Sequence, residues 1–308
     1  MPLHQLGYIE LPPSRSDAGF DHADIHARTD GLYVAHTSND TIDVIDVVHD
    51  RYVESFPGFT GVAGALVHEP RDLVFASNRG ENTVSIFAPG AEHDAFKIAV
   101  GVQPNGLAFD PARNILIAAN LGDIAIPGSH SVSVVDIARR ERMAEIKVPG
   151  TTRWSLYDQA REMFFVNISS PGQIIGIDAR DPSKIARTID VPATGPHGLD
   201  LDASTGRLLC ACDAGVLVAM DTTSGRAVGE VALSGAPDVI FLHPESRRLY
   251  VAIGNPGVID VIDIDKLRCE EVVPTERGAH TLAIDRKRHK IYAFLPRSHR
   301  AAVFANSD

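Results

Sequence analysis

Short segments in which polar and apolar residues alternate recur along the whole chain, and residues typical of turns separate them. Thr41–Asp46 (TIDVID) and Ser131–Asp136 (SVSVVD) are clear examples, because polar and apolar residues alternate from their first position onward. A period of two directs alternate side chains to opposite faces of a β-strand, and the frequent Val and Ile residues also favour strands. Helical periodicity never extends beyond a turn or two. The pattern therefore predicts an all-β protein.

The predicted strands are grouped in a repeat of seven units. The opening segment of a unit is clearest in Asn105–Asp110 (NGLAFD), His197–Asp202 (HGLDLD) and His280–Asp285 (HTLAID), and each copy ends in aspartate. The seven units are predicted to begin at His22, Gly64, Asn105, Arg153, His197, Asp238 and His280. A spacing of 41 to 48 residues is typical of β-propeller blades, and the longest interval contains an insertion, Gly122–His130.

The two ends of the chain complete each other in this repeat. The last unit, His280–Asp308, has three strand segments, whereas Gln5–Leu11 matches the fourth strand of the other units. Pairing the N-terminal strand with the last one leaves no exposed sheet edge. The sequence therefore predicts a single domain over residues 1–308. This domain is a seven-bladed β-propeller with four antiparallel strands per blade, and the N-terminal strand closes the last blade.

Two stretches carry a resemblance to a known family. Tyr33–His36 (YVAH) followed by Thr41–Asp46, and Ala76–Phe87 (ASNRGENTVSIF), resemble the repeats of the YVTN-repeat, YncE-like propeller family. The resemblance extends over nearly the whole chain and implies the same fold. It implies no single function, because such propellers include binding proteins, lactonase-like enzymes and metal-site oxidoreductase domains.

The first residues of the seven units are expected to meet around one mouth of the central channel. His197, Asp238, His280 and His22 then lie on four consecutive blades, and three imidazoles with a carboxylate are a suitable ligand set for Zn, Fe, Mn or Cu. The sequence therefore predicts a divalent transition metal at these four residues. A metal-free ligand site is an alternative, and so is a structural ring in which each histidine bonds a backbone carbonyl and water.

The opposite side of the predicted ring carries Arg153 and Asn105, a fixed positive charge and a hydrogen-bonding amide. We therefore expect a metal-dependent enzyme that acts on a small anionic molecule, as a lactonase-like hydrolase or a lyase. In this reading Arg153 anchors the substrate and Asn105 assists. The alternative is a non-catalytic propeller that binds a small ligand or a partner protein at the same face. Arg79 and Arg297 follow second strands and offer further positive charge there.

Composition narrows the partners and the compartment. The chain has 40 acidic and 29 basic residues, a net charge of −11, which disfavours binding to nucleic acid. No apolar run is long enough to cross a bilayer, and Met1–Leu11 lacks the features of a signal peptide. The three cysteines, Cys210, Cys212 and Cys269, have no disulfide-framework spacing and are expected to be free thiols in a cytoplasmic protein.

Overall fold

The structure, a computed structural model, describes residues 2–16 and 19–306, and in them the chain forms seven four-stranded antiparallel sheets. Blade 1 consists of β2 (Ala23–His26), β3 (Gly31–His36), β4 (Thr41–Asp46) and β5 (Arg51–Pro57). Blade 2 consists of β6 (Val62–His68), β7 (Leu73–Asn78), β8 (Thr83–Phe87) and β9 (Phe96–Ala99). Blade 3 consists of β10 (Pro104–Asp110), β11 (Ile115–Asn120), β12 (Ser131–Asp136) and β13 (Glu141–Lys147). Blade 4 consists of β14 (Thr152–Asp158), β15 (Met163–Ile168), β16 (Gln173–Asp178) and β17 (Arg187–Asp190). Blade 5 consists of β18 (Pro196–Asp202), β19 (Arg207–Cys212), β20 (Val216–Asp221) and β21 (Ala227–Ala232). Blade 6 consists of β22 (Ile240–His243), β23 (Arg248–Ile253), β24 (Val258–Asp263) and β25 (Arg268–Pro274).

The seventh blade joins the two ends of the chain. Its strands are β26 (Thr281–Asp285), β27 (Lys290–Leu295), β28 (Arg300–Asn306) and β1 (Leu3–Glu10), in the order β1-β28-β27-β26. Strand β1 runs antiparallel to β28 from the pair Leu3 and Asn306 to the pair Glu10 and Arg300, with a register shift between Gln5 and Gly7. The predicted seven-bladed propeller and its closure by the N-terminal strand are therefore confirmed.

Helix is limited to three short 3-10 turns in the described part of the chain: Thr37–Asn39, Glu69–Arg71 and Glu92–Asp94. None of its helices has the length and apolar character needed to cross a membrane. The three cysteines are free thiols; Cys210 and Cys212 are buried and Cys269 is exposed.

The hydrophobic core is divided among the junctions between blades. Each of seven apolar clusters in the described residues joins neighbouring sheets, so the alternation along each strand buries one residue set against the preceding blade and the other against the following blade. Between blades 7 and 1, for example, Ile9, Phe294 and Val303 pack against Phe20 and Leu32. This burial on both faces of each sheet fixes the position and orientation of the inner strand at the channel wall.

In six of the seven blades the last residue of the inner strand caps the turn that follows it, whereas His68 of blade 2 makes no such bond. The Oδ1 atom of Asp110 accepts a hydrogen bond from the N–H of Ala112 at 2.9 Å, and corresponding aspartates do the same in three other blades. In blades 1 and 6 a histidine replaces the aspartate. Nδ1 of His26 accepts the N–H of Thr29 at 3.2 Å, and Nδ1 of His243 accepts the N–H of Ser246 at 3.3 Å. The repeated acidic residue of the sequence is thus a turn-capping group.

Candidate functional site at one mouth of the channel

The pairing of inner strands shows which residues of the seven blades are equivalent. Ala23 pairs with Val34 as Ile240 pairs with Val251, and the N–H groups of Asp21 and Asp238 both bond the carbonyl oxygen at the matching position of the second strand. Asp21, rather than His22, is therefore the equivalent of Asp238. The predicted alignment was wrong by one residue in blade 1.

The same correction applies to blade 2. Ala65 pairs with Ala76 as Leu107 pairs with Ala118, so Ala63, rather than Gly64, is equivalent to Asn105. The mouth ring, defined as the seven equivalent residues, comprises Asp21, Ala63, Asn105, Arg153, His197, Asp238 and His280. Blades 1, 2 and 6 end their inner strands in histidine instead of aspartate. In blade 6 a proline before Asp238 still marks the register, as it does before Asn105 and His197, whereas blades 1 and 2 have neither signal.

A cavity of about 310 Å³, the mouth cavity, lies inside this ring. It is lined by Asp21, His22, Thr37, Arg79, Asn105, Arg153, His197, Asp238 and His280. All six residues predicted for the site therefore line one cavity, although His22 enters it from the position next to the ring.

Asp238 is the centre of an arc of imidazoles. Its Oδ1 lies 3.2 Å from Nε2 of His197, and its Oδ2 lies 4.0 Å from Nε2 of His280. The opposite nitrogens are anchored: Nδ1 of His197 donates to Oδ1 of Asp213 at 2.7 Å, and Nδ1 of His280 donates to the carbonyl oxygen of Gly278 at 2.8 Å. Such acceptors orient imidazoles so that Nε2 points to a ligand or metal.

The electrostatics of the arc hold His197 and Asp238 as an ion pair. Burial opposes protonation of His197, but the charge of Asp238 and the hydrogen bonds with Asp213 and Asp238 outweigh it and raise the pKa of His197 to about 9. Burial likewise opposes ionisation of Asp238, but the nearby imidazoles of His197, His280 and His22 hold its pKa well below the usual range. The pKa of His22 is lowered by burial, which keeps this side chain neutral.

His22 forms the floor of the mouth cavity. Its ring packs at a tilt against Trp154 with 4.2 Å between centroids, and its Nε2 lies 3.3 Å from Oδ1 of Asp21. No three of the predicted ligands His22, His197, His280 and Asp238 bring one ligand atom each within 4.8 Å of the others. A metal held by three of them therefore requires side-chain movement toward the centre of the cavity.

The other side of the cavity is cationic. Arg79 follows the second strand of blade 2, and its Nη2 pairs with Oδ2 of Asp21 at 3.0 Å and bonds Oδ1 of Asn105. Arg153 differs, because its Nε is buried without a hydrogen-bond partner and its guanidinium forms no ion pair with the described residues. The Arg153 charge is therefore available to an anion in the cavity.

Two contributors to this site were missed or undervalued from sequence. Asp213 follows a second strand, where an acidic residue usually caps a turn, yet here it holds His197. Arg79 was expected as a funnel for anions, but it is part of the cavity wall, whereas Arg297 is not among the lining residues. Both residues follow second strands, which is the one signal in the sequence that places them at this face.

A second cluster that could hold a metal lies at the opposite rim. His243, Glu245 and His289 place one ligand atom each within 4.8 Å of one another, and Nε2 of His243 lies 3.1 Å from Nδ1 of His289. Because Nδ1 of His243 accepts the N–H of Ser246, its Nε2 carries the proton and donates to His289. This cluster was not predicted from sequence, because His243 ends an inner strand of one blade and His289 lies in a turn of the next.

Comparisons with known proteins give the fold and no family. No family model matches the chain, and no curated protein matches it. Among solved structures it is similar to a chain described as Kuenenia stuttgartiensis hydrazine synthase, with a TM-score of 0.80, 13% identity and coverage of 96% of each chain. At this identity the likeness shows a shared propeller fold alone. Membership in the YVTN-repeat family stays a prediction.

Proposed function

We propose that this protein is a metal-dependent enzyme that acts on a small anionic molecule in the mouth cavity. The observation that carries the proposal is the division of one cavity of about 310 Å³ into two sides. An arc of anchored imidazoles around Asp238 faces the unpartnered guanidinium of Arg153. A metal on the first side and an anion on the second would lie next to each other.

His197, His280 and Asp238 are the residues that would hold the metal, with His22 below them as a fourth ligand. Two ligands bonded to one ion at about 2.0–2.1 Å lie roughly 3.0–3.5 Å apart. The 3.2 Å between His197 and Asp238 fits this range, and the 4.0 Å between His280 and Asp238 needs a small approach. The ligand set suits Zn, Fe, Mn or Cu.

The side chains divide the work of the proposed reaction. A bound metal activates water or polarises a substrate oxygen, which suits a lactonase-like hydrolase or a lyase. Arg153 binds the anionic group through its planar guanidinium, because this geometry matches a carboxylate or a phosphate. Asn105, fixed by Arg79, contributes its amide beside that group. Asp213 keeps His197 in the orientation that directs Nε2 into the cavity.

One observation favours a second candidate, a non-catalytic protein that binds an anion without metal. His197 is already bonded to two carboxylates, and no three of the four predicted ligands converge within 4.8 Å. In this alternative Arg153 still binds the anion, and the His197–Asp238 pair is a structural part of the wall.

Elemental analysis of tag-free protein, combined with melting in malonate or phosphate, separates the two candidates. We expect stoichiometric metal in the wild type, its loss in His280→Ala, and its retention in Arg153→Ala with loss of the anion-induced rise in Tm. His289→Ala is the matched control, because it removes an imidazole from the second cluster only. Equal metal content in the wild type and His280→Ala would refute the metal-dependent enzyme. Metal-free protein with an Arg153-dependent rise in Tm would establish the binding protein instead.

A further inference from the structure

A second cavity, the distal cavity, lies below His22 toward the other end of the channel. Its volume is about 360 Å³, and turn residues such as Pro111, Gln159 and Arg286 line its far end. Its wall includes the residues two positions beyond the level of His22 in six of the seven inner strands. These are Asp24, Leu66, Ala108, Leu156, Asp200 and Phe241.

Most of this wall is apolar, although it faces the channel. Leu66, Leu156, Trp154 and Phe241 are all partly exposed there, while the opposite faces of their strands are buried in the blade junctions. The rings of Trp154 and Phe241 meet edge to face with 6.0 Å between centroids. A cavity of this size with apolar and aromatic walls suits a small organic molecule.

Two carboxylates are set into the apolar wall on different sides of the channel. Asp24 accepts backbone N–H bonds from Ile25 and from Val67 of the next blade, each at 2.8 Å. Asp200 does the same with Leu201 and with Leu242 of its next blade, each at 2.7 Å. These bonds hold both side chains in place, so their carboxylates are fixed parts of the cavity.

The positive charge near these carboxylates is insufficient to balance them. Arg286 is the one guanidinium that lines the cavity, and its Nη2 donates to the carbonyl oxygen of Leu242 at 3.2 Å. Among the described residues that line it, the cavity thus holds two fixed carboxylates and one guanidinium, so one carboxylate is left for a cationic group of a ligand.

We propose that the distal cavity binds a small apolar ammonium compound. Its ammonium group pairs with the carboxylate of Asp24 or Asp200, and its hydrocarbon part packs on Phe241 and Leu156. The aromatic face of Trp154 adds an attraction for the cation. The proposal is independent of the one made for the mouth cavity, since only His22 lines both cavities.

The chain carries its own reporter for this site, because Trp154 is the single tryptophan and lines the distal cavity. We expect 2-phenylethylammonium to change the tryptophan fluorescence saturably. Its Kd should be at least about tenfold below that of the neutral analogue 2-phenylethanol and of the anion phenylacetate. Equal affinities for all three compounds, or no saturable change up to roughly 10 mM, would overturn the proposal.

Variants test the assignment of the residues. At least one of Asp24→Asn and Asp200→Asn should weaken 2-phenylethylammonium binding by several-fold or more, while Asp221→Asn, a turn cap in the same blade as Asp200, should leave it unchanged. Because an asparagine loses part of the backbone clamp, Leu156→Trp supplies a second test that fills the cavity and keeps both carboxylates. Its binding is measured by isothermal titration calorimetry, since this variant adds a second tryptophan. Retained binding in Leu156→Trp would also overturn the proposal. Arg153→Ala should bind the amine as the wild type does, which separates this site from the mouth cavity.

Discussion

The closure of blade 7 by strand β1 can be tested with a single substitution on that strand. Ile9 is 3% exposed and packs in the cluster between blades 7 and 1, whereas Leu6 on the same strand is 50% exposed. Truncating a buried aliphatic side chain to alanine costs about 2–5 kcal/mol. At about 2 °C per kcal/mol in a chain of this size, Ile9→Ala should lower the Tm by about 4–10 °C.

Leu6→Ala is the matched control, since an exposed substitution of similar size should change stability by at most about 0.5 kcal/mol. Differential scanning calorimetry of both variants at one pH and one protein concentration measures the difference. Similar losses in the two variants, or no loss in Ile9→Ala, would show that β1 does not pack in the last blade as the structure describes. The test needs no knowledge of the ligand, so it examines the fold separately from the function.

Two further predictions concern titration and thiols. The pKa of His197 is about 9, above its ordinary value near 6.5, so its contribution to stability is present below pH 6.5 and is lost as the pH rises through 9. In chelator-treated protein the Tm difference between wild type and His197→Asn should therefore narrow between pH 6 and pH 9.5, and a constant difference would contradict the ion pair. Iodoacetamide should label the exposed Cys269 in native protein and should reach Cys210 and Cys212 only after denaturation; an unlabelled pair in denatured, unreduced protein would reveal a disulfide.

The fold could be predicted from sequence because the same pattern of strands and turns recurs from blade to blade. The inner strand must present alternate residues to two blade junctions, and in most blades it ends in a group that caps its turn, so the pattern seen in Asn105–Asp110 and His280–Asp285 recurs. The incomplete last unit and the spare N-terminal segment likewise follow from the need to satisfy both edges of a sheet. The pattern within each blade involves residues close in sequence, so it can be predicted without a structure.

The site was predicted less completely because it depends on register and on contacts between blades. The equivalence of Asp21 with Asp238 is visible only from strand pairing, since His22 is the more conspicuous candidate in the sequence. The bond between Asp213 and His197 joins residues on two strands of blade 5, and that between Arg79 and Asp21 joins two different blades. No spacing along the chain encodes such contacts.

The corrected register changes the charge balance on which both candidate functions depend. Three carboxylates lie in or beside the mouth cavity, those of Asp21, Asp213 and Asp238, against the two guanidinium groups of Arg79 and Arg153. With His197 protonated in its ion pair with Asp238, these groups sum to zero, and a divalent cation that displaces this proton would change the charge to +1. A metal and an anion should then bind more tightly together than separately, and this coupling is reciprocal. An anion that binds equally well with and without metal would instead have to depend on Arg153 alone, which is the behaviour of the non-catalytic alternative.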